Sequence, residues 1–115
     1  MGGKASRRKG HDFERATAIR FREVMPGAEI KRGLQSRGGG AEEADVVCPY
    51  FHVECKVGKL PNPRAALAQA IRDAKVGMTP IAVVRDDRQA AFVVMQFDDF
   101  LDFIKEWWAA GGDET

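Results

Sequence analysis

The chain has 115 residues, 44% of them hydrophobic, which is the length of one domain and enough to bury a single core. With 30% charged and 9% aromatic residues it reads as an ordinary globular chain, and no apolar run approaches the roughly 18 residues of a membrane span. The net charge of +1 conceals an asymmetry: residues 1–64 hold 13 Lys and Arg against 8 Asp and Glu, and residues 65–115 hold 5 against 9. A basic half within a neutral total suits a face that meets phosphate, although a solvated charged surface has the same composition. Two cysteines make no disulfide framework, so a reducing, intracellular setting is expected, and Met1 to Lys9 lacks the apolar stretch of a secretory signal.

Residues 1–10 carry Lys4, Arg7, Arg8 and Lys9 among three glycines without apolar periodicity, and are expected to form a flexible basic arm. The remainder, 11–112, reads as one domain. A first helix is predicted from His11 to Met25, stopped by Pro26-Gly27. A short strand over Ala28–Leu34 and a loop over Gln35–Ala44, with Gly38, Gly39 and Gly40 in a row, come next. Asp45–Cys48 and Phe51–Val57 read as two strands joined across Pro49-Tyr50. Asn62-Pro63 is an N-cap with proline at the first helical position, opening a helix to Val76. Thr79–Arg85 and Ala90–Gln96 form a hairpin around Asp86-Asp87, and a last helix runs from Asp98 to Ala110, ending at Gly111-Gly112. The order α-β-β-β-α-β-β-α predicts an α/β fold, a mixed central sheet flanked by helices.

Strand side chains alternate faces, so Val53, Cys55 and Val57 share the core face while His52, Glu54 and Lys56 share the other. Asp45 begins the preceding strand, one short hairpin away, which brings its carboxylate towards Glu54. Like charges that close are costly unless a cation lies between them, and two carboxylates with a backbone carbonyl such as that of Cys55 make a hard oxygen site suited to magnesium. The plain alternatives are a surface Glu54–Lys56 ion pair and an aspartate that only starts a strand. On the first helix Glu14 falls within the apolar arc of Phe13, Thr17, Phe21, Val24 and Met25, where a carboxylate must snorkel or find a buried partner. A helix-start glutamate favoured by the dipole is its alternative. Cys48, His52 and Cys55 do not make a zinc site, because His52 and Cys55 point to opposite faces and no fourth ligand stands out.

Lys9-Gly10, then Glu14-Arg15 on a helix, then Asp45, then Glu54-Cys55-Lys56 resembles the PD-(D/E)XK nuclease superfamily, and within it the archaeal-type and phage Holliday-junction resolvases. The resemblance runs from Lys9 to the last helix. Ala44 stands where the name-giving proline would, and the stretch between Asp45 and Glu54 is shorter than in archaeal resolvases. The resemblance implies a restriction-endonuclease-like core and a magnesium-dependent endodeoxyribonuclease, with manganese as a substitute ion. Asp45 and Glu54 would hold the metal with the Cys55 carbonyl, Glu14 would bind it directly or through water, and Lys56 would act on the attacking water and the charge developing on phosphorus. Ser36 and Arg37 match the place of a serine near the scissile phosphate in resolvases, and Gln69 matches an active-site glutamine of several branches, although, lying off the apolar arc of its helix, it reads better as an ordinary exposed residue.

Arg7, Arg8, Lys9, Lys59 and Arg64 are candidate phosphate contacts by charge and position. The last helix carries Phe97, Phe100, Leu101, Phe103, Ile104, Trp107 and Trp108 over an arc of about 160°, wider than core packing alone uses, so part of it is expected to meet a second copy. The expected partners are branched DNA and a homodimer mate, with no membrane and no small-molecule substrate, in the cytoplasm or, for a phage-encoded chain, the host cytoplasm. The alternatives are a nuclease of the same superfamily acting on flaps, nicked or site-specific duplex, and a non-cleaving DNA-binding module on the same fold.

Overall fold

In the computed structural model, residues 3–34 and 43–112 are described. Eight elements follow in the order α1 (Gly3–Val24), β1 (Lys31–Arg32), β2 (Val46–Val47), β3 (Phe51–Gly58), α2 (Pro63–Asp73), β4 (Thr79–Asp86), β5 (Phe92–Met95) and α3 (Phe97–Ala109). The strands form one mixed five-stranded sheet in the order β1-β2-β3-β4-β5. Only β3 and β4, joined through α2, are parallel; the other neighbours are antiparallel. This is the expected α/β architecture, consistent with a restriction-endonuclease-like core.

Strand alternation assigns the two faces. Val53 of β3 and Ile81 and Val83 of β4 pack with Phe13 and Ala18 of α1 and with Val46 and Cys48. On the other face, Ala82 and Val84 of β4 pack with Ala66 of α2, where alanines allow the helix to lie close. The sheet is therefore sandwiched between α1 and α2, with β3 and β4 at its centre.

Local chemistry accounts for several boundaries. The Asn62 side chain accepts a hydrogen bond from the Ala65 amide at 3.1 Å, and Pro63 takes the first helical position of α2, as the sequence predicts. The β2–β3 hairpin turns at Tyr50, whose φ of 75° is in the left-handed region, and its ring meets Phe51 edge-on at 4.6 Å. At the end of α3, Gly111 adopts φ 89° and the Gly111 and Gly112 amides bond back to the Trp108 and Trp107 carbonyls. Gly112 passes beneath the Trp107 ring so closely that a Cβ would collide with it.

Two expectations are corrected. The first helix does not start at His11 but at Gly3, so that residues 3–10, expected as an arm, are its opening turns. A contact far away in sequence ties this extension to the body: Lys9 Nζ pairs with Asp87 on the β4–β5 turn at 2.9 Å. The last helix, expected to be partly core, has no buried residue. It touches the body through Phe103, 6.4 Å from Tyr50 and 6.2 Å from Phe51 between ring centroids.

Candidate active site

β2 and β3 pair with Val46 opposite Val53 and Val47 opposite His52. Continued one residue towards the mouth of the hairpin, this register sets Asp45 across from Glu54, and the Asp45 amide bonds to the Val53 carbonyl at 2.9 Å. Asp45 is fixed by a second bond, the Cys55 amide donating to Oδ2 at 2.9 Å. Its neighbour on the outer side is Gly33, whose amide bonds to the Asp45 carbonyl at 2.8 Å. Only glycine fits at 33, because a Cβ there would collide with the Ala44 carbonyl oxygen. The sheet backbone thus delivers two carboxylates to adjacent positions, as the hairpin reading anticipates.

Glu54 is buried, and its Oε1 lies 3.0 Å from Nε2 of His52, also buried and two residues back on the same strand face. Burial pushes the His52 imidazole below its ordinary value, against the pull of Asp73 and Asp45 in the other direction. A neutral ring with its proton on Nε2 donates to the carboxylate and fixes its rotamer.

Glu14 is buried on α1 and finds a partner in Arg32 of β1, whose guanidinium reaches Oε1 at 3.2 Å. Even so its carboxyl is held above the usual range, first by burial and then by the nearby Asp45 charge, with Arg32 opposing both. Of the two readings open for this residue, the buried carboxylate with a partner is the one observed.

These groups line one cleft of about 380 Å³. Glu14, Asp45, Glu54, Cys55 and Lys56 all border it, with Gln69 and Ala66 from α2 and Ser6, Arg7 and His11 from α1. Lys56 is exposed at the cleft, on the same strand face as Glu54. Gln69, half-buried on α2, borders the site too. Arg7, placed by the unexpected early start of α1, also faces the cleft.

Other candidates stand elsewhere. Lys9 is engaged with Asp87, Arg8 is exposed on α1, and Lys59 and Arg64 are exposed past the end of β3 and at the start of α2. Ser36 and Arg37, with the three glycines after them, lie outside the described residues. His52, Arg32 and Gly33 carry parts of the site that sequence reasoning did not assign. For His52 the signal was present, since it shares the face of Glu54; for Arg32 and Gly33 nothing local pointed to the contact.

Among the described residues, no three His, Cys, Asp or Glu side chains gather closely enough to cage a metal ion. The donor set nevertheless fits magnesium, which keeps several of its own waters and takes one or two carboxylates. Asp45 and Glu54 are such a pair, and Glu14, whose carboxyl is raised first by burial and then by the Asp45 charge, stands beside them. Thiolate chemistry does not fit: burial pushes both Cys48 and Cys55 above the ordinary thiol value. Nor, among the described residues, is any helix long and apolar enough to cross a membrane.

No curated protein and no solved structure matches the chain. The family model described as phage putative PDDEXK endonuclease matches residues 5–108, which takes in α1 with Glu14, the Asp45–Glu54 hairpin, Lys56 and almost all of α3. The chain therefore belongs to this family of the PD-(D/E)XK nuclease superfamily.

Proposed function

We propose that the chain is a magnesium-dependent endonuclease acting on branched DNA, most closely a Holliday-junction resolvase that works as a pair of identical copies. The observation that carries this reading is the pairing of Asp45 with Glu54 on adjacent strands, with Lys56 and Glu14 on the same cleft. A DNA-binding module without chemistry has no use for three carboxylates beside a phosphate, because each repels the ligand.

In this reading Asp45 and Glu54 would hold the ion, with the Cys55 carbonyl and Glu14 as further oxygen donors. A bound magnesium supplies positive charge to the phosphoryl oxygens and lowers the pKa of a coordinated water. Lys56 directs its ammonium group at the scissile phosphate, where it orients the attacking water and offsets the charge building on phosphorus. The His52–Glu54 bond and the Cys55 amide on Asp45 hold the two carboxylates in place before substrate arrives. Arg7, at the cleft, and Arg8, exposed on the same helix, would meet the flanking backbone. A four-way junction offers two equivalent strands, which suits two sites related by a two-fold axis.

The test is incubation of the purified protein with labelled four-way junction, flap and linear duplex, with and without magnesium. The junction should be cut preferentially and only with the ion. Asp45→Asn and Glu54→Gln should each lose at least about a hundredfold in rate while binding the junction equally or more tightly. Full magnesium-dependent activity in both variants would overturn the site, and equal cutting of all three substrates would leave a nuclease without junction preference.

A further inference from the structure

Helix α3 is amphipathic, none of its residues is buried, and part of its apolar surface forms a regular seam. The helix meets the body through Phe103. At 100° per residue, Phe103 lies well round the helix from a stripe made by Phe97, Leu101, Ile104 and Trp108. These four are exposed by 71%, 46%, 36% and 60%. Their spacing of four, three and four residues is that of a heptad seam, the pattern by which one helix packs along another. With Phe97 and Ile104 as one seam position and Leu101 and Trp108 as the other, one flanking position holds Asp98 and Lys105 and the opposite flank holds Phe100 and Trp107.

The charges select both the occupant and its direction. Lys105 is the one basic residue of α3, against Asp98, Asp99, Asp102 and Glu106. If two copies of α3 pack antiparallel, like flanks face each other: Asp98 meets Lys105 of the second copy, twice, and Phe100 meets Trp107. Packed parallel, both charges would instead face the aromatic flank and lose their partners. The seam is also self-complementary about a two-fold axis, since Phe97 meets Trp108 and Leu101 meets Ile104 of the second copy.

We propose that the stripe Phe97, Leu101, Ile104 and Trp108 of α3 joins two copies of this chain as an antiparallel helix pair, registered by Asp98 of each copy against Lys105 of the other. This deepens the pairing put forward above. Its readout needs neither DNA nor metal, so its failure and the failure of the nuclease reading are seen separately.

Sedimentation of the full chain without DNA tests it. A seam of about three turns lies at the small end of stable interfaces, so the mass should rise from one to two chains between roughly 1 and 100 μM. Leu101→Lys should hold the protein as a monomer throughout, with far-UV circular dichroism unchanged and the thermal midpoint unchanged at about 1 μM, where the wild type is itself a monomer. Asp98→Lys and Lys105→Asp should each weaken the dimer by about tenfold, as two ion pairs become two repulsions. The double reversal should restore wild-type affinity to within about threefold. A monomer at every concentration, or a dimer indifferent to Leu101→Lys, overturns the interface. Failure of the double reversal to restore what the single reversals lose overturns the antiparallel register.

Discussion

Three carboxylates at one cleft make this site expensive for the folded chain, and the side chains that hold them carry most of its testable chemistry. His52 donates to Glu54 at 3.0 Å from the neighbouring position of the same strand face. Removing a hydrogen bond that orients a ligand costs about 10–100-fold in metal affinity. His52→Ala should therefore weaken magnesium or manganese binding by that factor, measured by calorimetry without DNA, while Cys48→Ser, away from the cleft, should leave it unchanged. Glu14 bears the electrostatic cost more directly. Its folded carboxyl lies above the ordinary 4.5 because burial and Asp45 disfavour the charged form. Folding thus favours the protonated acid, and the stability that Glu14 contributes is present below 4.5 and lost as pH rises through its raised value. Glu14→Gln, which never ionises, should melt higher than wild type at about pH 7 to 8, with the advantage shrinking towards about pH 4. The same variant should lose cleavage. A variant that melts lower than wild type at neutral pH would show that the Arg32 bond outweighs burial.

At the scale of elements, the site depends on how closely β1 approaches β2 beside Asp45. Gly33→Ala should displace the Ala44–Asp45 backbone, costing on the order of 1–3 kcal/mol in stability. Its larger effect should be on cleavage, because Asp45 is bonded to the same glycine. A variant with wild-type melting and activity would show that the approach relaxes freely. Nothing in the local sequence marks Gly33, since its meaning lies in a strand more than ten residues on. Where information is local, the sequence was legible: alternation in β3 put Glu54 and Lys56 on one face, Asn62-Pro63 opened α2, and the short hairpin brought Asp45 to Glu54. Where a distant group decides, it was not. Lys4 to Lys9 have no apolar period, and the ion pair from Lys9 to Asp87 ties the early turns of α1 to the body. Glu14 announced a buried partner but not its identity, because Arg32 approaches from another element. Periodicity showed that α3 has an apolar face, but not that the face would remain unburied, since composition is the same for a core helix and for one that waits for a second chain.

For the whole molecule, the proposed pairing of two copies would matter because, in the proposed reading, the substrate is a junction that must be cut twice. One cleft can hydrolyse one strand, and a nicked junction can relax or dissociate before a second encounter. Two clefts carried by one particle make the second cut effectively intramolecular, at a local concentration far above that of free protein. The α3 seam is distant in sequence from every residue of the cleft, so the chemistry and the pairing can be separated by substitution. On a supercoiled plasmid that extrudes a cruciform, wild-type protein should give linear product directly, with little nicked circle along the way. Leu101→Lys, with its cleft untouched, should cut the first strand at a rate within about twofold of wild type, yet accumulate nicked circles, because the second cut now waits on a second binding event. Agarose gels resolve the three plasmid forms over a time course. Nicked circles preceding linear product in the wild type would show that its two cuts are independent. Direct linear product from a Leu101→Lys protein that sediments as a monomer would show that a single chain completes both cuts, leaving no role for pairing in the reaction.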